Sequence, residues 1–290
     1  MLVLPPNIAT AWQRYTVVLT AIFSFLLSAC DNRKVIFIET RPNVTVKFLY
    51  IFPKSNKEPV AHLILFTGGD GKLGLNEGSI KDAGSLKPAY QSDFLARTRD
   101  NWVAQGFAVA LPDVPSGQKG LYLPRRGNAM FRTSPEHKED IQGIIEFLKS
   151  QKDIPVWLVG TSMGTISAAN VAAQLPPGTI DGVVLTSSVF GITQKPLDYG
   201  LRGLSAKELG RIKVPTLWAH NKKDECPLTL FTDVEGFMKM QHNSPKVELM
   251  TFEKGTFPRG SPCSPFHYHG FIGFEDEVVT KISNWIKANL

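Results

Sequence analysis

The stretch Gly160-Thr161-Ser162-Met163-Gly164, set directly behind Pro155–Val159, limits what this chain can fold into more than any other. Pro155–Val159 is continuously apolar and rich in β-branched and aromatic residues, so it reads as a short buried strand. After Ser162, the residues Ile166, Ala168, Ala169, Val171, Ala172 and Leu175 recur at helical spacing, and the pattern stops at Pro176-Pro177-Gly178. A serine on the sharp turn between a strand and a helix, with glycine two places away on either side, is the G-x-S-x-G pattern that presents a nucleophile. Such a turn strains the serine backbone, and side chains at the flanking positions would collide with the neighbouring strand and helix.

The remaining chain alternates strands and helices around that elbow. Strands are predicted at Val35–Ile38, Val44–Phe52, residues 60–66, Phe107–Leu111, Gly182–Thr186, Pro215–Ala219 and Lys246–Phe252. Helices are predicted from about Asp93 to Gln105, from a capping Ser134 to Gln151, at Leu228–Met240 and at Phe274–Ala288. This alternation predicts a mostly parallel sheet covered by helices on both faces. With 290 residues, no internal repeat and no low-complexity tract, residues 30–290 read as one domain. The formal charge of +6 is spread along the chain, with no basic stripe bearing interleaved aromatics, so nucleic acid is not an expected partner.

Residues 1–29 read as a signal peptide rather than as part of the fold. Arg14 precedes the apolar stretch Thr16–Ala29, which is too short to span a bilayer but fits a signal-peptide core. The stretch ends in Leu27-Ser28-Ala29-Cys30, which resembles a bacterial lipobox and implies lipidation of Cys30. Two or more acyl chains there would hold the protein at the cell envelope, facing the periplasm or the exterior. Asp31 resembles an inner-membrane retention signal.

The order of elements, with the serine after the fifth strand, resembles the α/β-hydrolase family over about residues 35–290. The resemblance implies an eight-stranded α/β-hydrolase fold and a serine–acid–histidine triad in that chain order. The acid follows the seventh strand, where this sequence has His220-Asn221-Lys222-Lys223-Asp224, so Asp224 takes that role. The histidine lies in the loop after the eighth strand. There His269, followed by glycine and an aromatic, matches the family context better than His267. The resemblance also implies an oxyanion hole. Its donors are the N–H of Met163 and one from Thr67-Gly68-Gly69-Asp70, with Gly69 preferred and Asp70 next.

Ser162 as nucleophile, His269 as base and Asp224 as its orienting acid describe acyl transfer with a small-molecule acyl substrate and no cofactor. A carboxylic ester is the default, with thioester and amide compatible. The rival readings are a catalytically silent binding protein on a hydrolase scaffold and a membrane-tethered interaction module. No histidine or cysteine spacing suggests a metal site. Cys226 lies two residues past Asp224 and Cys263 six before His269, so a working triad brings their loops together. In an exported chain a disulfide would then clamp the acid loop to the histidine loop; two free thiols are the alternative.

Three features bear on substrate. The connection Ser187–Lys213 is short for a lid domain, which predicts a minimal lid. Val189, Phe190, Tyr199 and Trp218 are candidates for an apolar acyl pocket or for the core. Arg97, Arg99, Arg125 and Arg126 are candidates for an anionic substrate group or for solvated surface.

Overall fold

The computed structural model describes residues 32–54, 57–75, 92–118, 131–190 and 203–290. The chain divides into Met1–Asn32 and Arg33–Leu290. Residues 1–29, expected from the sequence to be a signal peptide, Cys30 and Asp31, Arg125 and Arg126, Tyr199, and residues 191–202 of the expected minimal lid lie outside the described residues.

Eight strands form one sheet: β1 (Arg33–Arg41), β2 (Val44–Ile51), β3 (His62–Phe66), β4 (Ala108–Pro112), β5 (Val156–Thr161), β6 (Gly182–Thr186), β7 (Thr216–Asn221) and β8 (Val247–Phe252). Their spatial order is β1-β2-β4-β3-β5-β6-β7-β8. The pairs from β4 through β8 are parallel, whereas β2 runs antiparallel to both β1 and β4. Continuous apolar runs in β3, β4, β5 and β6 follow from burial on both faces, the rule for parallel strands under helices.

The pleat divides these runs between two cores. Ile64, Phe66, Val156 and Leu158 face one side. There they meet Ile141, Ile144, Ile145 and Leu148 of helix α3 (Pro135–Gln151) and Ile166 and Ala169 of α4 (Gly164–Gln174). Leu63, Leu65, Trp157 and Val159 face the other side. Their partners are Phe94 of α1 (Phe94–Arg97), Trp102 of α2 (Arg99–Ala104), and Val278, Val279, Ile282 and Ile286 of α7 (Glu275–Lys287).

Two predicted helices are altered. The helix over 93–105 breaks at Thr98, whose hydroxyl bonds back to Phe94 O at 2.7 Å, the kind of side-chain competition that tightens a helix turn. The helix expected over Leu228–Met240 is reduced to a 3₁₀ turn, Phe231–Asp233, and the short α6 (Val234–Met238), a further short helix α5 (Ala206–Leu209) having come before it in the chain. Leu228 and Thr229 are diverted from helix: Leu228 O accepts from Phe190 N at 2.9 Å, and the Thr229 hydroxyl bonds Asp224.

Register aligns the carboxyl ends of the central strands. Phe66 of β3 lies opposite Gly160 of β5, and Thr161 opposite Thr186 of β6, which in turn pairs with Ala219 of β7. The loops that follow these strands therefore open on one edge of the sheet, where α/β sheets bind ligands.

Candidate active site

The elbow forms as its sequence requires. Ser162 has φ +51, a left-handed value that a non-glycine residue adopts only where the surroundings enforce it. A Cβ at Gly160 would lie 2.5 Å from Gly164 O, and one at Gly164 would lie 2.0 Å from Phe66 O. Both glycines are thus steric necessities of packing α4 against β3 and β5. Ser162 N donates to Thr186 O at 3.0 Å, and Ser162 O accepts from Thr165 N and Oγ1.

Asp224 and His269 meet, as the resemblance implies. His269 Nδ1 lies 2.9 Å from Asp224 Oδ2, and both side chains are almost fully buried. A carboxylate can only accept, so Nδ1 carries a proton, and the tautomer this selects is the one whose lone pair lies on Nε2. Asp224 Oδ1 accepts from Cys226 N at 3.0 Å, and Oδ2 also accepts from the Thr229 hydroxyl at 2.8 Å. Thr229 Oγ1 is itself 3.3 Å from His269 Nδ1, so this threonine braces the pair from the side. No sequence pattern marks Thr229 as a site residue. His267 does not share this pairing; among the described residues its buried Nδ1 has no hydrogen-bond partner.

Ser162 and His269 line one cavity of about 230 Å³, together with Gly68, Gly69, Asp70, Asp93 and Cys263. The glycine loop is shaped by its own hydrogen bonds. Gly68 N is taken by Asp93 Oδ2 at 2.8 Å, and Gly71 N closes a turn on Gly68 O at 3.1 Å. Among the described residues no hydrogen bond engages the N–H of Gly69, Asp70 or Met163. These are the donors the sequence singles out.

Cys226 and Cys263 are joined in a disulfide with Cα atoms 4.6 Å apart, so the acid loop is covalently tied to the wall of the cavity.

Other sequence candidates go elsewhere. Val189, Phe190 and Trp218 belong to the core, with Phe190 stacked on Trp218 at 6.1 Å, and none lines the cavity. Arg97 is half-buried and binds Glu275, Ser92 O and Gly270 O. Arg99 is buried, with Nη1 on Ala96 O at 2.6 Å. His220 ends up beside the site, its Nε2 3.1 Å from Ser188 Oγ, and burial pushes its pKa down to about 3, so it stays neutral. Among the described residues no group of histidine, cysteine or acid side chains is placed to hold a metal ion, and no helix is long and apolar enough to cross a membrane.

The family model described as serine aminopeptidase, S33 (Hydrolase_4), matches residues 89–229, which include Ser162 and Asp224 and stop short of His269. Phospholipase YtpA of Bacillus subtilis (strain 168) is 29% identical over 107 residues, or 36% of this chain; the match spans 39% of that relative's length. Esterase Pf2001 of Pyrococcus furiosus is 15% identical with a TM-score of 0.59, covering 90% of this chain and 93% of its own. A cold-adapted esterase from an Arctic intertidal metagenomic library is 15% identical with a TM-score of 0.57, covering 89% and 93%. Dienelactone hydrolase from Anabaena variabilis ATCC 29413 is 15% identical with a TM-score of 0.55, covering 90% and 100%. At these identities the likeness is one of architecture: the chain has the α/β-hydrolase fold.

Proposed function

We propose that this protein is a serine hydrolase that cleaves a carboxylic ester through an acyl-enzyme intermediate. The observation that carries the reading is the buried Asp224–His269 pair, 2.9 Å apart, whose histidine shares a cavity with Ser162 on its strained turn. In this mechanism His269 Nε2 takes the Ser162 hydroxyl proton as Oγ attacks the substrate carbonyl carbon. Asp224 holds the ring in the tautomer that can accept and stabilises the imidazolium. The tetrahedral oxyanion is received by Met163 N–H and Gly69 N–H, with Asp70 N–H as the neighbouring alternative; one such donor contributes about 3–4 kcal/mol. His269 then returns the proton to the leaving alcohol. Water, deprotonated by the same histidine, releases the acid and restores Ser162. The phospholipase among the relatives supports an ester, and the serine aminopeptidase description of the matching family model supports an amide as the second reading.

The test is labelling of the purified protein by a fluorophosphonate probe, with Ser162→Ala in parallel. Labelling of the wild type that vanishes in the variant is the expected result; a folded wild type that takes no label overturns the reading.

Export and lipidation at Cys30 are part of the proposal, supported by the apolar Thr16–Ala29 and the sequence that ends it. Metabolic labelling with a fatty-acid analogue should mark the wild type and not Cys30→Ser; equal labelling of both removes this part.

A further inference from the structure

We propose that Arg132 and Asp93 are positioning residues for the oxyanion donors, clamping the loop after β3 from opposite sides and tying it to the helix that follows the nucleophile. This inference rests on the serine hydrolase reading and goes beyond it, since neither residue belongs to the triad or supplies an oxyanion donor.

A trans peptide unit is planar with its C=O and N–H pointing in opposite directions, so fixing one edge aims the other. The unit joining Thr67 to Gly68 is held at both edges: Thr67 O accepts from Arg132 Nη2 at 2.9 Å, and Gly68 N donates to Asp93 Oδ2 at 2.8 Å. In the next unit Gly68 O is engaged by Gly71 N at 3.1 Å, which directs Gly69 N–H the opposite way. In the third, Gly69 O accepts from Arg132 Nη2 at 3.2 Å, which directs Asp70 N–H away from the guanidinium. Three successive peptide planes are therefore fixed, and the N–H groups left without a protein partner among the described residues are those of Gly69 and Asp70. Gly69 has φ +54 with open space around its Cβ position, so glycine is favoured there by the backbone twist rather than by crowding.

Arg132 also sets where this loop stands relative to the elbow. Its Nη1 donates to Ser167 Oγ at 2.7 Å, and Ser167 lies on α4, the helix that begins just after Met163. Ser167 Oγ pairs in turn with His137 Nε2 at 2.9 Å. One guanidinium thus spans the two halves of the oxyanion hole, the loop with Gly69 and Asp70 and the helix start with Met163. The planar fork supplies donors to three acceptors at once, which an ammonium on a flexible stem does not reproduce. Burial lowers the Arg132 pKa only to about 10, so the group stays charged at neutral pH. Asp93 is suited to its side of the clamp because its two oxygens divide the work. Oδ1 caps α1 through Leu95 N and Ala96 N, and Oδ2 is left for Gly68.

The test compares full-length wild type with Asp93→Asn, Arg132→Lys and Arg132→Met, using p-nitrophenyl butyrate and the matching thionoester. In Asp93→Asn the amide oxygen can keep the helix cap while the NH₂ is turned on Gly68 N–H, so the clamp is lost and the fold is retained. An oxyanion hole discriminates between C=O and C=S at the reacting carbon, whereas a general loss of packing does not. The expected result is a fall in kcat for the ester of about tenfold or more with KM within about twofold, and an ester-to-thionoester preference that shrinks toward unity. Arg132→Lys should recover part of the loss seen in Arg132→Met. Ester turnover within twofold of wild type in folded Asp93→Asn, or ester and thionoester falling in parallel, overturns the clamp. If the arginine variants do not fold, Asp93→Asn alone decides. A wild type that neither turns over ester nor takes the fluorophosphonate overturns the hydrolase reading itself, a result distinct from any obtained in the variants.

Discussion

The Ser187 hydroxyl donates a 2.7 Å hydrogen bond to the backbone carbonyl of His269. It is one of three such supports under the histidine turn. Tyr268 O accepts from Asn221 Nδ2 at 3.4 Å, and Gly270 O accepts from Arg97 Nη2. Donors from the ends of β6 and β7 and from α1 therefore hold three consecutive carbonyls, and the imidazole is positioned through its own backbone. Ser187 has φ +44, a strain that alanine shares, so Ser187→Ala isolates the hydroxyl. A buried carbonyl left unpaired costs about 1–3 kcal/mol. The expected outcome is a lowered melting temperature together with a drop in kcat that exceeds any change in KM. Unchanged melting and turnover would show that the turn stands without this bond.

Reduction of Cys226–Cys263 should weaken both fold and activity. The bond closes a loop with a sequence separation of 37 and ties the Asp224 loop to the cavity wall. Loop-closure entropy alone assigns such a crosslink about 4 kcal/mol of stability. Melting the protein with and without dithiothreitol, and melting the double variant Cys226→Ala/Cys263→Ala, measures this. A melting temperature indifferent to both treatments contradicts it.

What could be read in the sequence, and what could not, divides along a physical line. The buried strands and the elbow were legible because continuous apolar runs, a 3.6-residue period and paired glycines report local sterics and burial directly. Ser162 stands out through its own turn, whereas Asp224 and His269 are singled out only through the family resemblance, which places an acid after the seventh strand and a histidine in the long loop after the eighth. Thr229, Ser187, Arg97, Asp93 and Arg132 were not legible as parts of the site. Their roles depend on contacts between segments far apart in sequence, such as Arg132 with Thr67 and Gly69, and composition carries no record of these. The arginines show the limit most clearly. Arg97 and Arg99 read as candidates for an anionic substrate group or for solvated surface, yet the chain uses Arg97, and likewise Arg132, to satisfy carbonyls of loops that belong to no ladder. The helix over 228–240 failed for the same reason: Thr229 is committed to Asp224, and Leu228 O to Phe190, before helical spacing has any say.

Gly164→Ala should prevent folding, whereas Gly178→Ala should be tolerated. At Gly164 the added carbon would sit 2.0 Å from Phe66 O, a clash with backbone that no rotamer relieves. Separation of α4 from β3 is the only escape, at a cost of more than about 4 kcal/mol. At Gly178 φ is +80 and nothing lies within 4 Å, so alanine meets only the left-handed penalty of about 1–2 kcal/mol. Soluble expression and denaturant midpoints of the two variants decide, and equal midpoints would refute the steric account of the elbow.

Stability should fall as the pH drops from neutrality toward 5. Burial holds both His137 and His220 at a pKa of about 3, although Asp224 partly offsets the effect at His220 and Arg132 and Arg41 reinforce it at His137. In the unfolded chain histidine titrates near about 6.5, so below that pH the unfolded state binds more protons than the folded one. The stability is therefore complete above the unfolded value and is lost as pH falls through the window between the two. The loss is of the order of 2 kcal/mol per histidine at pH 5. Denaturant midpoints measured from pH 8 to pH 5 should decline, and the slope should be shallower in His137→Asn. A slope identical to wild type in that variant would assign the acid sensitivity to other groups.

Asp224→Asn should disable catalysis while leaving the fold nearly intact. The side chains are isosteric, but the environment dictates how the amide must lie. Cys226 N, 3.0 Å from Oδ1, can only donate, whereas the Thr229 hydroxyl at Oδ2 can turn to accept, so the amide oxygen takes the Oδ1 place and the NH₂ replaces Oδ2. It then points at His269 Nδ1, 2.9 Å away, and donates where the carboxylate accepted. The imidazole answers by moving its proton to Nε2, the atom that must receive the proton of Ser162. The base is lost by a change of tautomer, without any loss of packing. A fall in kcat of about 10³–10⁴ is expected, with fluorophosphonate labelling slowed to match. Melting should change by no more than the worth of one charge-assisted hydrogen bond, about 1.5–3 kcal/mol. Labelling within a few-fold of wild type would mean that His269 does not depend on Asp224 for its tautomer, and that the 2.9 Å contact serves only the fold.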